Sequence, residues 1–314
     1  MTRTNVLCAV LPWALALALP VAADEAIQSA VIPDASAFVD ALRSQALDLA
    51  NASRAKAGLV ELRRSGVLDE AAQTHADAML ERGFYDHVSP EGETPFDRFL
   101  AAGGSRWAVS GENIARCEGC ETPPGAERVA SFHEGWMESP GHRENILSSG
   151  FTRFGFGIAG EGAETYAVQT FSGPGDDGGE GSAAPAELRA AAQNAIDARR
   201  ADRGLEALEP SPALDAAAEQ ALAALVQDED LPGDLFRLLP EDASGWMSLS
   251  LLSASRGGAG SRMAVEDAEA FAEGWAEGAE GEPFGGTRAS HLGFAARADG
   301  DGRKTAVAVL GGRE

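Results

Sequence analysis

Apolar positions in the first half of the chain recur at helical spacing. Phe38, Leu42, Leu49 and Ser53 fall on one helical face, and Leu68, Ala71, Ala72, His75 and Met79 form a second stripe. Val129, Phe132, His133, Trp136 and Met137 form a third, at i, i+3, i+4, i+7 and i+8. Thr94-Pro95 has the form of an N-cap followed by a first helical residue, with Phe96 and Phe99 buried behind it. Ser139-Pro140-Gly141 is expected to end the Val129 helix, leaving His142 in a loop. Phe154–Ala159 and Thr165–Phe171 alternate as strands do, and Gly160-Glu161-Gly162 between them suits a hairpin. Helices packed on a small sheet are the expected architecture.

The pattern then repeats. Asn51–Leu62 matches Asp197–Leu208, and Leu68–Ala72 matches Leu214–Ala218 at the same offset. Ser131–Trp136 matches Ala270–Trp275, Phe154–Gly157 matches Leu292–Ala295, and Ala167-Val168 matches Ala306-Val307. Several matches kept in order point to a tandem duplication. Between the copies, Gly173–Pro185 is rich in Gly, Asp, Ser and Pro and lacks apolar periodicity, as a linker does. The expected division is 24–173, a linker at 174–185, and 186–314.

Residues 1–23 read as an export signal. Arg3 supplies the positive start, Val6–Leu19 the apolar stretch, and Val21-Ala22-Ala23 the small residues before a cut. The stretch falls short of the roughly 20 residues of a spanning helix, so a cleaved signal is preferred to an anchor. The expected destination is periplasmic or extracellular, with no transmembrane segment left after cleavage. The net charge is −24, from 49 acidic and 25 basic residues. Such a surface repels nucleic acid and anionic headgroups. After signal removal the cysteines are Cys117 and Cys120, and in an oxidising compartment a local disulfide is preferred to a metal or redox motif.

Four of the five histidines lie in the first copy. His75 and His133 sit on apolar stripes and read as packed core residues. His87 and His142 sit next to helix ends, and Glu112 lies in a polar stretch, Ser110-Gly111-Glu112-Asn113. Spacing alone does not bring these three together.

A family resemblance does. The series His87-Val88-Ser89-Pro90, Arg98, Gly111-Glu112-Asn113-Ile114-Ala115, Trp136, Ser139-Pro140-Gly141-His142-Arg143, Asn145-Ile146-Leu147 and Phe154-Gly155-Phe156-Gly157 resembles a bacterial CAP (cysteine-rich secretory/antigen five/pathogenesis-related, SCP-like extracellular) domain over roughly 46–173. The resemblance implies an α+β fold. Each of the two tandem domains would be an α-β-α sandwich with a small, mainly antiparallel sheet. It places His87, Glu112 and His142 in a central cleft. Where the family has a second glutamate this chain has Ser139, and Glu138, one step earlier, is turned about 100° away. The second copy keeps the apolar framework without these polar residues.

The functional expectation is a non-catalytic binding module for an envelope, lipid or small-molecule ligand. No cofactor is required, although His87, His142 and Glu112 offer donors for a divalent metal such as zinc. A metal-assisted hydrolase of peptide or glycan is the alternative, and a structural adaptor that docks through its second copy is another.

Overall fold

The computed structural model describes residues 35–176, 181–277, 286 and 288–313. The export-signal reading and Gly281, expected near the place of His142, lie outside them.

Helix α1 (Ala35–Lys56) is followed by the two-residue β1 (Arg63–Arg64), α2 (Gly66–Arg82), α3 (Pro95–Ala101) and β2 (Val109–Glu118). Helices α4 (Ala126–Glu138) and α5 (Pro140–Leu147) precede β3 (Arg153–Glu161) and β4 (Glu164–Gly173). The sheet order is β1-β3-β4-β2, with only β1 parallel to its neighbour. Leu42, Ala46, Val129, Phe132, Trp136, Phe154 and Phe156 pack on one face. Ala72, Ala76, Met79, Tyr166 and Val168 pack on the other.

The alternation Phe154-Gly155-Phe156-Gly157 serves both faces. The phenylalanines are fully buried under α1 and α4. A Cβ on Gly155 would run into the Leu68–Asp69 peptide, and one on Gly157 into the Ala72–Gln73 peptide, so bare backbone lets α2 lie directly on the sheet. Asp69 Oδ1 then accepts from Phe156 N at 2.9 Å and fixes the register of helix on strand.

Several elements differ from the sequence expectation. Strand β2 runs through the polar stretch around Glu112, to which the sequence pattern assigned no element. Pro140 starts a new helix, α5, and His142 lies inside it, because proline is tolerated at a first helical position. Phe38 remains 37% exposed, because α1 begins beyond the edge of the sheet's cover. Phe96 is only half-buried, whereas the charged Arg98 beside Phe99 is buried.

The second half comprises α6 (Pro185–Ala201), β5 (Glu209–Pro210), α7 (Pro212–Val226), a 3-10 turn (Leu235–Leu238), β6 (Trp246–Arg256), α8 (Val265–Glu277), β7 (His291–Ala298) and β8 (Lys304–Arg313). Its sheet order is β5-β7-β8-β6, again with one parallel pair. Small contacts recur with the order. Arg54 Nε donates to Val60 O, and Arg200 Nε to Glu206 O. Asn51 Oδ1 accepts from Leu62 N, and Asp197 Oδ1 from Leu208 N. A Cβ on Gly293 would strike the Leu214–Asp215 peptide as one on Gly155 would strike Leu68–Asp69.

The halves touch. Gly258 N donates to Trp107 O at 2.7 Å and Gly260 N to Pro174 O at 2.8 Å. Ser105 Oγ donates to Asp301 at 2.6 Å, and the Arg303 guanidinium lies 4.6 Å from the Trp107 ring centre. The described ends of the glycine-rich segment are therefore docked: Pro174 meets the loop after β6 at Gly260, and Ala183 N donates to Met263 O at 2.8 Å.

Candidate functional site

His87 follows α2, which ends on Gly83 in the left-handed conformation (φ 65°), so the chain turns sharply toward the sheet. Three contacts then fix the loop. Val88 N donates to Asp86 Oδ1 at 3.0 Å, His75 Nε2 donates to Asp86 O at 2.9 Å, and Arg98 donates to His87 O at 2.9 Å. Helix α3 presents Arg98 through a capping box, with Asp97 N donating to Thr94 Oγ1 and Thr94 N to Asp97 Oδ2.

Glu112 lies on β2 with its side chain 2% exposed. One carboxylate oxygen accepts from His87 Nδ1 at 2.8 Å, and the other from Arg98 at 2.9 Å. The Arg98 side chain is likewise 2% exposed, so this is a buried, charge-assisted pair. His75 Nε2 lies 3.9 Å from the same carboxylate. Glu112 thus holds His87 by one ring nitrogen, while the imidazole remains 46% exposed with its other nitrogen free for a ligand.

Helix α5 carries His142 to the same region. Asn145 Nδ2 donates to Glu112 O at 3.1 Å and to Asn113 Oδ1 at 2.9 Å, and Asn113 Nδ2 donates to His142 O at 3.1 Å. Gly111 leaves room for this docking, since a Cβ there would press on the Phe151 ring and Asn145. The two imidazoles differ electrostatically. The hydrogen bond to Glu112 raises the His87 pKa above the usual histidine value. Burial, and then the charge of His87, lower that of His142. Over a window around neutrality the pair offers one cationic donor and one neutral ring.

Ser139 is half-buried between α4 and α5, and its hydroxyl caps neither helix. Glu138 and Glu134 are both exposed on the outer side of α4. His75 is completely buried and His133 is 6% exposed, in keeping with core positions. His133 Nε2 is hydrogen-bonded to Ser53 Oγ at 2.9 Å between α1 and α4. Cys117 and Cys120 are joined by a disulfide at the far end of β2.

The residues do not fit a three-ligand metal centre. Both Glu112 oxygens are engaged by Arg98 and His87, and the carboxylate is closed off from solvent. Among the described residues no group of three His, Cys, Asp or Glu side chains is arranged to hold an ion. Glu112 is instead the group that orients His87.

Arg98 is the functional residue that the spacing left without a role. It stands 14 residues from Glu112 across a helix-to-strand connection, where no periodicity links them. Its one sequence signal was its place in the resemblance series, and its burial and its carboxylate partner became visible only in the fold. Among the described residues, the second sheet does not carry the network. Register places Leu251 opposite Val309 and Gly293, as Glu112 stands opposite Thr170 and Gly155. A leucine therefore occupies the glutamate's position. His291, paired to β5 as Arg153 is to β1, belongs to the sheet rather than to a cleft.

Among known proteins, Uncharacterized protein YkwD of Bacillus subtilis (strain 168) is 36% identical over 129 residues, 41% of this chain and 47% of that protein. Uncharacterized membrane protein YlbC of the same organism is 36% identical over 114 residues, 36% of this chain and 30% of that one. The chain thus spans less than half the length of either relative. Among solved structures, an extracellular protein containing a SCP domain from Bacillus anthracis str. Ames is similar at 26% identity and a TM-score of 0.37, covering 44% of this chain and 43% of that one. An outer surface protein from Borrelia burgdorferi is similar at 20% identity and a TM-score of 0.35, covering 44% and 94%. Residues 47–171, the stretch that contains His87, Arg98, Glu112 and His142, match the Cysteine-rich secretory protein family, CAP.

Proposed function

We propose that the chain is an exported binding module whose first half, a CAP-type domain, holds a polar ligand between His87 and His142. One observation carries this reading. The buried Arg98–Glu112 pair fixes one side of the His87 ring and leaves the other side open. A buried ion pair is a poor source of stability, and an oriented imidazole at its end is a reason to keep one. A protonated His87 donates to a ligand oxygen, while a neutral His142 offers its own donor or acceptor alongside. A hydroxyl, amide or carboxyl group on an envelope component or small molecule has that chemistry.

The metal-assisted hydrolase alternative needs a nucleophile or an activated water, and the Ser139 hydroxyl makes no hydrogen bond to either histidine among the described residues. For the second half, the repeated strand order, the repeated arginine and glycine contacts, and Leu251 in the place of Glu112 support a duplicated copy that has lost the site. Export is supported by the N-terminal sequence pattern. No helix of the described residues is long and apolar enough to cross a membrane.

The test is an imidazole NMR titration of the full chain with a panel of small carboxylates, amides and polyols, and with zinc. An organic ligand that moves the His87 and His142 resonances together, and fails to do so in His142→Ala, meets the expectation. Tight zinc binding abolished by Glu112→Gln would overturn the orienting role of Glu112. Turnover of a peptide or glycan that is lost with His87→Ala would replace binding by catalysis.

A further inference from the structure

The two halves hold a carboxylate in the same place and neutralise it differently. In the first half Asp69 Oδ1 accepts from Phe156 N at 2.9 Å, and Arg43 Nε donates to Phe156 O at 3.0 Å. In the second, Asp215 Oδ1 accepts from Phe294 N at 3.0 Å, and Arg189 Nε donates to Phe294 O at 3.3 Å. Strand register completes the match, with Arg64 beside Phe154 in one sheet and Pro210 beside Leu292 in the other.

The surroundings of the two carboxylates differ in one cation. Arg64 lays its guanidinium across two anions, donating from Nε to Asp69 at 2.6 Å and from Nη2 to Asp40 at 2.6 Å. Its counterpart Pro210 carries no donor, and Ala186 stands before Arg189 as Asp40 stands before Arg43. At that place, between α6, β5, α7 and β7, lies a cavity of about 380 Å³, lined by Arg189, Asn194, Pro210, Asp215, Leu292 and Phe294 among others. That volume is within the range of small-ligand pockets.

Charge and shape select the occupant. In the first half Arg43 and Arg64 balance Asp40 and Asp69. In the second, Arg189 alone faces Asp215 at 3.3 Å and Glu219 at 2.6 Å, which leaves one negative charge in excess. The Asp215 side chain is 23% exposed, and burial raises its pKa, so water compensates its charge only in part. Leu292 and Phe294 give the cavity an apolar floor, suited to the methylene stem of a long cation. A planar guanidinium donates along two directions at once, as Arg64 does, and Asn194 offers an amide oxygen beside Asp215.

We propose that this cavity is a binding site for one organic cation, a guanidinium on a short apolar stem, held by Asp215 as Asp69 holds Arg64. A free guanidino compound and an arginine side chain of a peptide share that chemistry. The site belongs to the second half and is separate from the histidines of the first.

Backbone-amide NMR of the full chain at about 0.15 M salt tests this, with agmatine, with arginine capped at both ends, and with uncharged butylurea. The expected result is a saturable shift of the Ser211 and Phe294 amides by one or both guanidino probes and none by butylurea. The tighter of the two names the source, free cation or side chain. Asp215→Asn is expected to weaken binding on the order of 10-fold or more. Because Asp215 also holds α7 on β7, Pro210→Arg is the deciding variant. It sets the chain's own guanidinium in the cavity as in the first half. The strand contacts flanking it come from Glu209 N to Ser290 O and from Ser211 N to Leu292 O, so the pairing is kept. Pro210→Arg is expected to abolish both shifts with no loss of melting temperature. It alters a net charge of −24 by one, so general attraction of cations to the acidic surface survives it. Guanidino binding that persists in Pro210→Arg is therefore surface binding and overturns the proposal. So does the lack of any saturable shift, or an equal response to butylurea.

Discussion

Each histidine in the first half has its own electrostatic setting, and together they dictate how stability responds to acid. Burial lowers the pKa of His75, of His133 (with a contribution from Lys56) and of His142, so the folded chain resists protonating them. The unfolded chain does not, and binds more protons as pH falls through the ordinary histidine value. Stability is therefore lost on acidification, by up to about 1.4 kcal/mol per pH unit for each of the two buried rings, His75 and His133. His87 works in the opposite sense. Its raised pKa contributes stability that is complete below the ordinary value and is lost as pH rises through the folded value. Between neutrality and pH ~5, the lower end of the range over which histidines titrate, the three lowered groups and His87 therefore act in opposite senses, with His75 and His133 the two buried rings. Denaturant midpoints at several pH values measure this. The unmodified chain is expected to weaken with acid, and His75→Phe to weaken less steeply. In Glu112→Gln the His87 resonance is expected to titrate at a lower pH than in the parent. A His87 pKa unmoved by that change would disconnect the two residues.

At the scale of the element, the decisive feature is the close contact between a helix and bare strand backbone, at Gly155 under α2 and at Gly293 under α7. An added methyl at either place meets main chain, which cannot move aside as a flexible side chain would. Gly155→Ala and Gly293→Ala are each expected to cost about 1–3 kcal/mol in chemical denaturation, whereas Gly135→Ala, at an open and exposed helical site, should be neutral or stabilising. Equal penalties at Gly155 and Gly293 would support the same helix-on-strand design in both halves. A free methyl at Gly293 would mean that α7 packs more loosely than its geometry indicates. The alternation from Phe154 was legible as a strand, and the close contact of its bare glycine face with α2 came from the fold. The helical stripes of α2 and α4 were legible because their apolar positions recur at helical spacing. Strand β2 was not, since Ser110-Gly111-Glu112-Asn113 spends its inward positions on the polar network rather than on apolar burial. The helix carrying His142 was hidden by Pro140, which reads equally as a stop or as a first helical residue. The cleft membership of His87, Glu112 and His142 came from resemblance, and the role of Arg98 needed the fold.

For the whole molecule, the question is whether the second half matters to the His87–Arg98–Glu112 network of the first. The contact between halves falls at Trp107, two positions before β2 begins, and Glu112 lies on that strand. Trp107 O accepts from Gly258, and its ring meets the guanidiniums of Arg106 and Arg303, each 4.6 Å from its centre. Ser105 and Asp301 add a side-chain bond alongside. One hydrogen bond of this kind contributes about 1 kcal/mol and one cation–π contact about 0.5–2 kcal/mol, enough to couple two units of ordinary stability without fusing them. The double variant Ser105→Ala, Trp107→Leu removes the Ser105–Asp301 bond and the Trp107–Arg303 contact, and leaves the exposed Arg106–Asp228 pair at 3.7 Å and the elements of both halves intact. Calorimetry is expected to separate one cooperative transition into two, and hydrogen exchange to show earlier opening of Val109–Ile114 than of β3 and β4. Opening at that end releases Glu112 from its setting, so the His87 resonance should broaden in the same variant. If β2 exchanges as in the parent chain and the transition stays single, these side chains do not brace the strand, and the histidine network is the property of the first half alone.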